Sequence, residues 1–171
     1  MEATNTKQTV EMGLGADLGN ADQYLTFMLN GEEYGVDILR VQEIKGWAPT
    51  TKIPNTPEYI QGVMNLRGAI VPIIDLRQRF SMPSVEYTAT TVVIVLKVHD
   101  DGGERTIGFV VDAVSDVYNV SAEQFKDAPD FGDHVKTEFI RALATVDEKM
   151  VILLDIDRLI SADDMMVATT H

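Results

Sequence analysis

Three histidines, a glycine-rich run, two strand-ending aspartates and one charge pair are the residues of this 171-residue chain that could do chemistry. His99, His134 and His171 each stand alone: none has a second histidine at ligand spacing, and H-E-x-x-H does not occur. A zinc site therefore has no ligand set, and structural or solvated roles account for all three. The run Gly13-Leu14-Gly15-Ala16-Asp17-Leu18-Gly19 has glycines in the manner of a dinucleotide loop, but it lacks a preceding strand and its last spacing is wrong. Neither a phosphate-binding G-x-x-x-x-G-K-[ST] nor a G-x-S-x-G nucleophile elbow is present. Asp100-Asp101-Gly102-Gly103 offers oxygens to a cation without a bidentate Glu at loop spacing, so it reads as a solvated hairpin tip. Asp75 and Asp155 could share acid–base work only by converging; at equivalent places in two repeats they read as turn caps. With no cysteine, disulfides, thiolate metal sites and cysteine nucleophiles are excluded. The expectation is a protein with no catalytic residues, no metal and no cofactor, and not an enzyme.

The remaining charges concern surfaces. Glu43 lies among Leu39, Val41 and Ile44, and Arg67 interrupts the apolar run 63–74. An isolated buried charge is costly, so the two are read as partners. Whether they form a partly exposed bridge or an orientation device beside a contact surface stays open at this point.

The elements that must carry these residues are short and mostly extended. Of the chain, 45% is hydrophobic, which suits a globular protein, and 27 acidic residues against 14 basic ones give a net charge of -13. That charge repels phosphate backbones and anionic lipid surfaces. The longest apolar runs, 91–98 and 150–156, fall well short of the roughly 18 residues that span a bilayer. Residues 1–20 lack the basic start and apolar stretch of a signal peptide and read as a flexible arm, so a soluble cytosolic protein is expected. Strands are expected at 23–29 and 34–38 around the Asn30-Gly31 turn, then at 63–66, 69–76, 90–98, 105–120, 140–145 and 150–155. Residues 39–46 fit a strand or a helix. Thr56 and Pro57 suit the start of a helical turn over 55–62 closed by Gly62, and Pro72 points to an edge strand or a bulge. A capping box at Ser121-Ala122-Glu123-Gln124 opens a short helix, and 161–167 reads as helical.

Laid over one another, the halves match twice. Residues 34–44 align with 107–117 without a gap, and 71–80 align with 151–160, placing Gly35 on Gly108 and Asp75 on Asp155. Two similar β subdomains follow, about 21–85 and 86–160, each small enough to lean on the other across a seam. Both copies carry an apolar stripe, Ile38, Val41 and Ile44 against Val111, Val114 and Val117. Facing across the seam, the stripes would form a groove for an amphipathic helix; otherwise they are core.

These residues resemble the CheW family of bacterial chemotaxis coupling proteins. The strings that carry the resemblance are E-E-Y-G-V-D-I-L-R-V-Q-E-I over 32–44, Ile53-Pro54-Asn55-Thr56-Pro57, G-V-M-N-L-R-G over 62–68, V-P-I-I-D-L-R over 71–77, and G-F-V-V-D-A-V-S-D-V over 108–117. Asn65-Leu66-Arg67-Gly68 is the most specific, and the match runs over about 20–165. It implies an all-β fold of two interleaved SH3-like five-stranded barrels related by duplication, with short helices, in one domain over 21–165 and a tail over 161–171. It also implies a non-enzymatic scaffold that couples transmembrane chemoreceptors to the histidine kinase CheA and so controls signalling to the flagellar motor. Receptor tips, as helical hairpins, would sit in the groove bordered by Leu25, Ile38, Val41, Ile44, Val92 and Val117. The kinase regulatory domain would contact Gln61 and Gly62, and the Glu43–Arg67 pair would act in kinase control. The protein would be cytoplasmic, associated with membrane-bound receptor arrays, without inserting in the membrane. Residues 97–105 read as a longer loop than the family has, leaving contacts there open. Other readings are a small-ligand double barrel and a single-stranded nucleic-acid binder, the latter lacking clustered Lys/Arg with interleaved aromatics.

Overall fold

Apolar alternation on either side of Asn30-Gly31 builds a hairpin from β1 (Ala21–Leu29) and β2 (Glu32–Asp37), with both turn residues at positive φ as a type I′ turn requires. This computed structural model describes residues 21–83, 85–100, 102–126 and 137–160. A 3₁₀ turn, Ile38–Arg40, leads from β2 to β3 (Val41–Gly46). Next come β4 (Ile60–Leu66), β5 (Ala69–Asp75) and the one-turn helix α1 (Leu76–Arg79). The second half repeats the plan with β6 (Val92–Asp100), β7 (Gly103–Val111) and β8 (Ala113–Ser121). It ends with β9 (Phe125–Lys126), β10 (Ile140–Val146), β11 (Lys149–Leu154) and α2 (Ile156–Ile160).

Two sheets result, ordered β8-β1-β2-β11-β10-β9 and β3-β6-β7-β5-β4. The first is barrel A. The second is barrel B, closed where Thr51 exchanges two backbone hydrogen bonds with Val63 at 2.9 and 2.8 Å. Each barrel draws strands from both repeats, so a boundary near residue 85 separates the repeats and not the barrels. The repeat itself is visible in the pairing. β2 runs parallel to β11 with Gly35 opposite Leu153, and β7 runs parallel to β5 with Gly108 opposite Ile73. At each glycine a Cβ would meet the partner's side chain, Leu153 at 2.9 Å and Ile73 at 2.8 Å, so the duplicated glycine permits the duplicated parallel contact.

Three apolar cores follow. Tyr24, Val120 and Leu153 belong to a small cluster in barrel A, and Val71, Val93 and Val110 to one in barrel B. A far larger cluster lies between the sheets, with Phe27, Tyr34, Phe80, Phe109 and Phe139. The seam is thus the main core, and the barrels lean on each other through it. Burial pushes the Tyr34 phenol up to about 12.

Several expectations change. Residues 55–62 form turns with no helix: Ile60 is buried and opens β4, and Gly62 lies inside that strand at a bulge. Pro72 is in β5, an interior strand; Val63 opposite it turns its backbone groups to Thr51, and the ladder to β7 starts one residue later at Ile73, so Pro72 sits where no N–H is needed. The span 105–120 is two strands divided at Asp112, where the chain passes from barrel B to barrel A. Residues 97–105 belong mostly to paired β6 and β7, the end of a long hairpin with Asp100 opposite Gly103. The capping-box residues open a single 3₁₀ turn, in which Gln124 Oε1 accepts from the Ser121 N–H at 2.8 Å. The arm 1–20, the helix 161–167, His134 and His171 lie outside the described residues.

Candidate functional site

The two apolar stripes are built by the same irregularity. In β3 the register runs Val41 opposite Leu96 and Ile44 opposite Ile94; in β8 it runs Val114 opposite Phe27 and Val117 opposite Leu25. In both, one extra residue bulges the strand, so side chains three apart share a face. That is why 39–46 has no clean period of two. Both are edge strands, and the shared face is the one turned to the central core. Ile38, Val41, Val92 and Val114 are half-buried against that core, while Ile44 and Val117 remain 44% and 42% exposed. Leu25 is 3% exposed, a core residue beside Val117 that supports the rim without offering surface. Leu39, which the stripe read from the sequence leaves out, stands 87% exposed on the 3₁₀ turn before Val41. The seam is therefore filled, and what it offers a partner is an apolar rim.

Glu43 and Arg67 do meet. The Arg67 Nη2 donates to Glu43 Oε2, joining β3 to the β4–β5 turn on the side where barrel B closes. The Glu43 side chain is 22% exposed and that of Arg67 74%. Arg67 and Gly68 both take positive φ in a two-residue turn, and Asn65 Oδ1 accepts from the Gly68 N–H at 2.9 Å. The Asn-Leu-Arg-Gly string thus encodes a turn that holds out Arg67. Gly62 has φ +135°, and a Cβ there would lie 2.3 Å from the Thr51 carbonyl oxygen, so its type is set by barrel closure. Gln61 beside it is half-buried; its carbonyl accepts from the Thr50 hydroxyl at 2.8 Å. An open cleft of about 650 Å³ lies on this face, with Lys52, Glu58, Gln61 and Gln78 among its lining. Asp75 and Asp155 cap α1 and α2, accepting from the N–H of Arg77 at 2.9 Å and of Arg158 at 3.1 Å. His99 contributes its backbone N–H to Asp157, and its ring lies 3.7 Å from Glu104.

Two ion pairs across the seam went unread in the sequence. Arg77 on α1 forms a two-pronged pair with Asp112, both contacts 2.8 Å, and Arg40 forms one with Asp157 on α2 at 2.9 and 2.8 Å. The cue was there in the repeat alignment, which lays Arg77 on Asp157 with opposite charge.

A family model of the CheW-like domain matches residues 23–164. The chain belongs to the CheW-like family. It is 48% identical over 167 residues to the chemotaxis protein CheW of Klebsiella aerogenes, covering 95% of this chain and 97% of that protein. A probable CheW of Rhizobium etli is 36% identical over 146 residues, 85% of this chain and 92% of that one. Among solved structures, the scaffolding protein TtCheW of Thermoanaerobacter tengcongensis superimposes with a TM-score of 0.74 at 32% identity, over 84% of this chain and 94% of that one. As a CheW-family member with that fold of two SH3-like barrels, the chain is a chemotaxis adaptor. No helix among its described residues is long and apolar enough to cross a membrane.

Proposed function

We propose that this protein is a non-enzymatic coupler, cytoplasmic and carried on membrane-bound receptor arrays, that links chemoreceptor tips to CheA. The observation that supports this most is the matched pair of bulged edge strands, which hold Ile44 and Val117 out on the face of the central core. A helical hairpin that covers them with Ile38, Val41 and Val92 removes apolar surface from water without opening the fold. The kinase regulatory domain meets barrel B at Gln61 and Gly62, and the Glu43–Arg67 pair beside them acts in kinase control more than in binding. The surface at the rim is apolar, which suits binding. A net charge of -13 argues against nucleic acid as partner.

Isotope-labelled protein is titrated in NMR, first with the kinase regulatory domain and separately with a receptor-tip hairpin. Saturable shifts are expected around Gln61, Gly62 and Arg67 with the kinase domain, and along Ile38, Val41, Ile44 and Val117 with the hairpin. Because Ile44 is largely exposed, Ile44→Glu is expected to weaken hairpin binding at least about tenfold, equivalent to about 1.4 kcal/mol, with the CD spectrum unchanged. Hairpin affinity unaffected by Ile44→Glu, or no saturable shift with either partner, sinks the assignment.

A further inference from the structure

The two seam-crossing clamps have opposite polarity. Residues 21–79 supply both arginines, Arg40 and Arg77, and residues 92–160 supply both aspartates, Asp112 and Asp157. Arg77 and Asp157 are equivalent in the repeat alignment, and the two link residues stand one position apart in it, Arg40 on Ala113 and Asp112 on Leu39. In each, a side chain on the helix after the parallel strand grips the link through which the chain changes barrel. In each, the aspartate also accepts a backbone N–H: Asp112 from Asn30 of the first repeat at 2.9 Å, and Asp157 from His99 of its own repeat at 2.8 Å. All four side chains are mostly buried, between 13% and 32% exposed.

Link length explains why an exchange between repeats is obligatory. One residue, Asp112, joins β7 to β8, and three, Ile38–Arg40, join β2 to β3. For the second repeat to close on itself, Val114 would have to take the place of Val41 beside Leu96. Val111 is paired with Val92, four residues back along β6 and two strands across, a gap of about 17 Å at ~3.4 Å per residue and ~4.8 Å per strand. Three residues reach at most about 11 Å. A repeat must therefore exchange strands with another repeat, and in a cell full of copies that repeat can be of the unlike kind, as within this chain, or of the like kind from a second chain.

We propose that the inverted clamps decide between them. Pairing of unlike repeats, the observed arrangement, meets Arg with Asp at both links. If two first repeats from different copies interleaved, Arg77 of one would lie at Arg40 of the other; two second repeats would bring Asp157 to Asp112. Each wrong assembly would carry two like-charge contacts in mostly buried sites, where screening is weak. The sequence likeness that makes the repeats interchangeable is thus offset at four positions, and unlike repeats pair.

Refolding of the full-length chain from denaturant over a range of concentrations, read by size-exclusion chromatography with light scattering, tests this. Arg40→Asp with Asp157→Arg keeps opposite charges in both intramolecular clamps, but it also gives each repeat one charge of each sign, so like repeats then match. This variant is expected to return several-fold more dimer and larger species than the unaltered chain, increasing with concentration. Adding Arg77→Asp and Asp112→Arg restores a single sign per repeat and is expected to restore the monomer. A two-site variant as monomeric as the unaltered chain overturns the proposal. So does equal loss of monomer in the two-site and four-site variants, which would trace the effect to the lost original pairs.

Discussion

Barrels A and B place the same bulge at the same point of the repeat and fill it differently. In β4 it lies between Ile60 and Gly62, in β10 between Ile140 and Ala142. Barrel A accepts an alanine there and is closed by β9, with Phe125 and Lys126 paired to Ala144 and Leu143. Barrel B is closed by a backbone bridge at Thr51, which passes so near β4 that only a residue without a side chain fits at 62. The tips differ likewise: Asp147-Glu148 turns barrel A's β10–β11 hairpin, whereas the Arg67-Gly68 turn is buttressed by Asn65 and joined to Glu43. One architecture thus has a plain end and a tightly specified end, and the residues proposed to meet the kinase sit at the specified one.

The largest effect expected from this difference is at Gly62. Gly62→Ala puts a Cβ against the Thr51 carbonyl and strains a backbone at φ +135°, and is expected to cost about 3 kcal/mol. Ala142→Gly in barrel A, where no such approach exists, is expected to cost about 1 kcal/mol. Urea midpoints of the two variants measure the contrast; equal costs would remove the closure argument and return Gly62 to a purely binding role.

A second contrast is between the two capping aspartates. Asp75 is 5% exposed, caps Arg77 and Gln78, and accepts the Tyr87 hydroxyl at 2.5 Å, while Tyr87 itself packs edge-on against Trp47. Burial first, and then the bond to Asp75, hold the Tyr87 phenol above its ordinary pKa. Asp155 is half-buried and caps one N–H. Asp75→Ala is expected to cost about 2–3 kcal/mol, since it leaves the Tyr87 hydroxyl without its acceptor, and Asp155→Ala about 1 kcal/mol. Thermal melts of the pair give the comparison directly.

These contrasts also show where the sequence could and could not be read. Alternation and the Asn30-Gly31 turn are local, and the strands they imply are present. The duplication was visible because Gly35 and Gly108 must admit Leu153 and Ile73. The exchange of strands came only with the family resemblance, because the pattern of β3 records that one face is buried but not which hairpin covers it. The stripe Ile38, Val41, Ile44 fitted helix and strand alike because a bulge imposes a spacing of three on a strand. Thr56-Pro57 has the form of a helix start, yet only two residues follow before Ile60 is taken into the core. The clamps were hidden because their members are 35 and 117 residues apart.

The clamps should also make stability depend on acidity. Burial alone would raise the Asp112 carboxyl, but the Arg77 bonds, the Asn30 N–H and the guanidinium charge together hold it below 3.8; Asp157 is held down likewise by Arg40 and His99 against its own burial. A depressed carboxyl contributes stability that is complete above the unfolded value and is lost as pH falls through the folded one. Urea midpoints are expected to be flat from about pH 5 to 8 and to drop below about pH 4. With Asp112→Asn and Asp157→Asn combined, the plateau is lower and the acid drop shallower. An undiminished acid slope in that variant would assign the loss to other carboxylates.

The smallest stability effect, and the sharpest separation of structure from signalling, is expected at Arg67. Its side chain is 74% exposed, and solvent-exposed ion pairs contribute about 1 kcal/mol or less, so Arg67→Ala should barely move the thermal midpoint. Leu66, Gly68 and Asn65 keep the turn whatever side chain stands at 67, because the turn bonds use backbone groups and the Asn65 amide. If the pair orients a kinase contact, reconstituted receptor–kinase assemblies containing Arg67→Ala lose kinase control while both partners still bind. Exchanging the charges, Glu43→Arg with Arg67→Glu, then separates two causes. Recovered control would mean that the link between β3 and the tip of barrel B is what matters. Continued loss would mean that the partner reads the arginine itself, since the turn holds that one charge out into solvent while Glu43 stays largely covered.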